Sequence, residues 1–189
     1  MTVQNELLFT LMKLRTGTKN LDLAERFNIS NSTVSNKIIT WINLLYVALG
    51  TLNIWPHRDI IIQKSPKEFQ EKYKDTVIII DATELTVQVP SSLQKQSECY
   101  SNYKHHTTLK SLIGVDPMGG VMFVRNFSKG SDVAQHRIHV ERAIGKVKRF
   151  RIFQSLIPVS MFGTINQIWT VACLISNFQN PVISDGGDE

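Results

Sequence analysis

Asp81 closes a continuous β-branched run, TVIII at 76–80, and Glu84 follows three residues later. A carboxylate at the end of a strand suits a metal ion. The strand fixes its position, and the metal offsets the cost of burying its charge. Glu141 lies in HRIHVERAIGKVKRFR, at the margin of an apolar stripe made by Val140, Ala143, Ile144 and Val147. An acid beside the buried face of a helix can reach a neighbouring sheet. Asp81 and Glu141 are therefore the candidate catalytic and metal-binding residues. Cleavage of a phosphodiester by two divalent ions held roughly 3.5–4 Å apart needs several such carboxylates. Local alternatives stand beside this one: Asp81 capping a turn, and Glu141 paired with Arg137 or His105. Spacing alone favours the local alternatives.

The helix that carries Glu141 is also basic, with six Lys or Arg and two His between His136 and Arg151. Arg142, Lys146 and Arg149 point away from the apolar stripe. They are candidates for phosphate contact, with a solvated face as the equal alternative.

Other elements must position these groups. Leu7, Leu8, Leu11, Met12 and Leu14 mark a first helix, and Leu21, Leu23, Ala24 and Phe27 a short second one. Asn28 suits the left-handed turn that ends the second, and Ser30 is a natural N-cap for a long third. That third helix carries Val34, Ile38, Trp41, Ile42, Leu45 and Val47. A small residue at the crossing (Ala24), a tight turn (Asn28) and locking residues (Ile29, Val34) make a helix-turn-helix pattern. The third helix then presents Asn31, Ser32, Thr33, Ser35, Asn36 and Lys37 to phosphates and base edges. A three-helix bundle without DNA contact is the alternative.

The pattern predicts a mixed α+β chain. The helix-turn-helix with its extended third helix spans 1–49, and a charged connector with a short helix or two spans 50–75. An α/β core spans 76–180. It has strands at 107–115 and 121–124 joined by a DPMGG hairpin turn, a helix over about 133–151 and a last apolar helix over about 162–178. The tail from 181 to 189 is polar and expected to fray.

Bulk properties fit this scheme. The 189 residues carry 21 Lys and Arg against 16 Asp and Glu, a net charge of +5 that permits a nucleic-acid partner without demanding one. Cys99 and Cys173 form no CxxC pair, which excludes a zinc knuckle or disulfide framework. No leader pattern opens the sequence. The apolar stretch at 165–175 is broken by Asn166, Gln167 and Thr170 and is too short for a bilayer, so a soluble intracellular protein without a membrane is expected.

Five strings together resemble the PIF/Harbinger superfamily of DDE transposases and the domesticated proteins derived from it. They are DLAERFNISNSTVSNKIITWINLLYVALG, KYKDTVIIIDATE, SSLQKQSECYSNYKHHTTLKSLIGVDPMGGVMFV, RIHVERAIGKVKRFRIFQ and NQIWTVACLISNFQNP. They cover nearly the whole chain, and the combination is far more specific than any one string. The resemblance implies an RNase H-like core with a DDE triad that binds Mg2+ or Mn2+. Asp81 corresponds to the first acid and Glu141 to the third. His106 and Lys110 match positions in a basic stretch that also holds Lys104, and all three are carried over as DNA contacts. Also implied are a DNA partner, a separate Myb-like partner protein and a nuclear location.

One departure stands out. The family carries an ADRGF-like string, which supplies the second acid, between the FV-ending strand and the RIHVERA helix. Here GGVMFVRNFSKGS runs straight into DVAQHRIHVERA, and no such string occurs. The core is therefore expected to be incomplete, lacking both a ligand and a strand, and cleavage is expected to fail. The alternative is an active endonuclease completed by Asp132 or by a partner subunit, with Asp116 a weaker substitute in its hairpin. A sheet without its central neighbour exposes backbone and apolar surface. That surface makes pairing with another copy, or with a full-length relative, an expectation, and an interaction module or a degenerate product a further alternative.

Overall fold

The computed structural model describes residues 1–101, 104–127 and 138–179, apart from the side chains at 68 and 138–140. Three helices open the chain: α1 (Val3–Thr16), α2 (Asn20–Phe27) and α3 (Asn31–Gly50). Their ends follow local rules. Thr2 accepts a hydrogen bond from the Asn5 amide, and Ser30 accepts one from that of Thr33. Asn28 adopts φ 49°, closing α2 so that the chain can turn into α3. Phe9, Leu23, Ala24 and Val34 fill the space between the three helices, with Phe27, Ile29 and Ile38 packed against them. The predicted crossing and locking residues are thus in contact.

Two short helices, α4 (Arg58–Lys64) and α5 (Lys67–Lys72), occupy the connector. The sheet follows: β1 (Ile79–Thr86), β2 (Tyr100–Ser101) after the short helix α6 (Leu93–Cys99), β3 (His106–Val115) and β4 (Val121–Val124). β3 is central. β1 pairs antiparallel along its whole length on one side, and β2 and β4 pair with its two ends on the other. Asp116 shapes the β3–β4 hairpin by accepting from the amides of Gly119 and Gly120, with Gly119 at φ 86°.

Two helices cover one face of the sheet: α7 (Ile138–Lys148) and α8 (Ile165–Ser176). The inward residues of β1 and β3, among them Leu85, Leu109, Ile113 and Val115, share one core with Ala143, Ile144 and Val147 of α7 and with Ile168 and Trp169 of α8. Trp169 is fully buried, donates to Ser111 Oγ at 3.1 Å, and meets Phe153 edge-on. The same core includes Leu14 of α1 and Ile42 of α3. Arg15 lies over the Phe150 ring, and Gly17 (φ 64°) sits so close to Arg151 that a Cβ there would come within 3.2 Å of its backbone.

The strand expected to be buried on both faces is different. It begins at Ile79, runs on through Asp81 to Thr86, and leaves Ile80 42% exposed. Among the described residues β1 is an edge strand, its outer side met only by Ile157 near Thr86 and by the Lys148 side chain at Glu84. Its apolar start reflected β propensity, and burial did not follow.

Candidate functional site

Strand geometry separates the two acids of the DATE string. Side chains alternate along β1, so Asp81 shares the inward face with Thr83 and Leu85, while Glu84 shares the outward face with Ile80 and Ala82. Asp81 is half-buried, and its Oδ1 accepts the next amide, that of Ala82, at 2.8 Å. Thr83 is only 4% exposed, and its hydroxyl has no hydrogen-bond partner among the described residues. Glu84 is held in place by the protein. It accepts from Thr108 Oγ1 at 3.0 Å and Ser101 Oγ at 3.3 Å, and pairs with Lys110 at 3.6 Å.

Glu141 lies in the first turn of α7 and is exposed, with no ion pair to any described residue. Seven residues on, nearly in line along the same helix face, comes Lys148. Its Nζ donates to the Glu84 carbonyl oxygen at 3.1 Å, on the outer side of β1. Burial lowers the Lys148 ammonium below the ordinary lysine range, and Lys104 pushes it the same way. Glu84 and Asp81 draw it back up. A protein cation therefore sits beside the strand acids. Lys148 stands outside the predicted contact residues Arg142, Lys146 and Arg149. Its seven-residue spacing from Glu141 was the available signal.

Among the described residues no three metal-ligating side chains come together. One half-buried carboxylate with an oxygen already engaged, a second acid on the opposite face and a lysine close by do not make a two-ion centre. Asp116 is no substitute. Its carboxyl serves its own hairpin, and burial raises its pKa despite the backbone hydrogen bonds it accepts. Asp132 and Arg137 lie outside the described residues, as does the tail expected at 181–189.

The basic candidates divide. Lys104 and His106 are exposed near the start of β3, and Lys110 is committed to Glu84. On α7, Arg142 and Arg149 are exposed, while Lys146 is half-buried and reaches the Gln179 carbonyl at 3.4 Å. At the start of α3, Asn31, Ser32 and Asn36 are exposed. Ser32 contacts Ser30 at 2.9 Å, and Thr33 contacts Ser30 at 2.8 Å. Ser35 accepts from Asn20 at 3.1 Å, tying α3 to α2. Lys37 is paired with Glu6 of α1, and Glu6 also accepts from Trp41 Nε1 at 3.1 Å. Those two hydrogen bonds, from Lys37 first, hold the Glu6 carboxyl below the usual glutamate range. Nothing in the sequence pattern disclosed this clamp, since Glu6 and Lys37 are distant in the chain.

A helix-turn-helix seated on an antiparallel sheet, with an acid in its edge strand, is the arrangement that the family matches identify as transposase-derived, DNA-binding and nuclease-like. Residues 1–51 match the family model "Helix-turn-helix of DDE superfamily endonuclease". Residues 80–132 and 131–177 match "DDE superfamily endonuclease" in two pieces that overlap at 131–132. The chain belongs to the DDE superfamily endonucleases. No curated protein and no solved structure matches it. DDE superfamily endonucleases typically work with divalent metal ions. No helix of the described residues is long and apolar enough to cross a membrane.

Proposed function

We propose that this chain is an internally shortened PIF/Harbinger-type protein that grips DNA and does not cut it. The three helices over 1–49 form the DNA-binding part, 50–75 the link, and 76–180 a nuclease-derived core retaining Asp81 and Glu141 as its remaining acids. One observation carries the reading: no DRGF-like string lies between β4 and α7, so the second acid and its strand are missing. The family match comes in two pieces that overlap at 131–132, a break at the same place, which supports the same deletion. A metal-dependent cut needs a ligand set that two separated carboxylates do not supply. DNA contact needs only the exposed start of α3 and the exposed side chains of Lys104, His106, Arg142 and Arg149, backed by Lys37, Lys110 and Lys146. A nuclear location and a Myb-like partner belong to the same proposal.

A gel-shift assay at low salt and a nicking assay with Mg2+ or Mn2+ test both halves. Binding is expected to fall steeply with salt, and to weaken in Asn36→Ala and Lys37→Ala. No nicking is expected with either metal. Nicking that disappears in Asp81→Asn and Glu141→Gln would instead establish an active enzyme completed by another acid. A blank shift at low salt would remove the DNA-binding half.

A further inference from the structure

The outer edge of β1 carries a pairing surface of defined register. Val87 donates to the Thr107 carbonyl, so the odd-numbered residues of β1 direct their backbone groups toward β3. The even-numbered ones, Ile80, Ala82, Glu84 and Thr86, direct theirs outward. Among the described residues only the far end of that outer side is paired with backbone: Ile157 donates to the Thr86 carbonyl and accepts from the Gln88 amide. Between Ile80 and Glu84 no described strand is present, and single side chains stand in. Asp81 takes the Ala82 amide, and Lys148 takes the Glu84 carbonyl. Beside this window the outward face of the sheet exposes Ile80 and Phe123.

We infer that a second copy of this chain pairs here, β1 against β1 and antiparallel, with Ala82 facing Ala82 across a two-fold axis. An isologous contact demands that one segment complement itself, and the window does so in one register. Ile80 then lies opposite Glu84 of the other copy, and each of these outward pairs exchanges two backbone hydrogen bonds. Asp81 lies opposite Thr83 of the other copy in the closer, non-hydrogen-bonded spacing of about 4.5 Å. The buried Thr83 hydroxyl, which has no partner among the described residues of a single chain, thereby gains a carboxylate acceptor. Asp81 in turn is released from the Ala82 amide, and Lys148 from the Glu84 carbonyl, both of which pair across the axis. Shifting the register one way sets Asp81 against Asp81, a like-charge pair, and the other way sets Thr83 against Thr83 and Asp81 against Leu85. Neither shift gives the hydroxyl a carboxylate. The small Ala82 side chain leaves room at the axis.

This inference rests on the strand edge and does not depend on the DNA reading, so its test contains no DNA. Sedimentation equilibrium of the full chain should give about twice the 21.5 kDa monomer mass. Ile80→Lys, a surface change that leaves the core untouched, should shift the species to monomer with its circular dichroism retained. Thr83→Val should weaken the dimer by roughly tenfold, the scale of one hydrogen bond to a charged group. Under oxidation Ala82→Cys should form a disulfide-linked dimer, since Cys99 and Cys173 are buried. A monomeric wild-type chain at high concentration would overturn the inference, as would an unchanged dimer in Ile80→Lys. Crosslinking through Asp81→Cys in place of Ala82→Cys would overturn the register.

Discussion

At the scale of single residues, the clearest device is the carboxylate of Glu6, which holds Lys37 and Trp41 of the recognition helix together. Its pKa in the folded chain lies below its unfolded value, so the clamp favours the folded state at neutral pH. That contribution fades as acid protonates Glu6, below the ordinary glutamate range near 4.5. Glu6→Gln is accordingly expected to lower the melting temperature at pH 7, and the gap from wild type should close as the pH falls through that range. A gap independent of pH would mean that the carboxylate charge is not what binds the two helices. The sequence made Asp81 and Glu141 visible by their settings at a strand and at the margin of a helix stripe. It left Glu6 and Lys148 unseen, because their partners are set by how helices dock, and docking has no periodicity to read.

Elements were legible where a local rule governs them. Asn28, Ser30 and the DPMGG turn each fix a backbone conformation by their own chemistry, and the structure has each in place. β1 misled for a physical reason. Its β-branched start predicts a strand but says nothing about neighbours, and burial on both faces needs a neighbour on each side. The alternating DATELT segment, inward at Thr83 and Leu85 and outward at Ala82 and Glu84, is what pairs with β3. For α3 the consequence is testable. Ile42 is fully inside the core shared with α8, so Ile42→Ala should cost about 2–5 kcal/mol. The loss should appear in a single cooperative melt, followed by circular dichroism and by Trp169 fluorescence alike. Two separated transitions would show that the recognition helix folds apart from the sheet.

Over the whole molecule, three features stand together: an exposed start of α3 proposed to meet DNA, a sheet whose β1 edge has no described strand beside Ile80–Glu84, and a core common to both. A paired β1 edge would double the number of α3 helices in one particle and give the DNA two grips at a fixed spacing. Two-fold symmetric sites would then bind more tightly than single ones. Mobility shifts on one and on two half-sites would measure that difference. Equal affinity for the two would mean that the copies do not engage DNA jointly.

The contacts of α3 with α8, and of Gly17 and Arg15 with the turn after α7, carry a last implication. The peptide between Gly50 and α4 is not what keeps the front of the chain on the rest. A protease cut at 51–57 should leave two fragments that still elute as one particle and part only in denaturant. The tether is then replaceable, and its length or composition can be altered freely while the aim of the recognition helix, set by the seam beneath it, stays as it was.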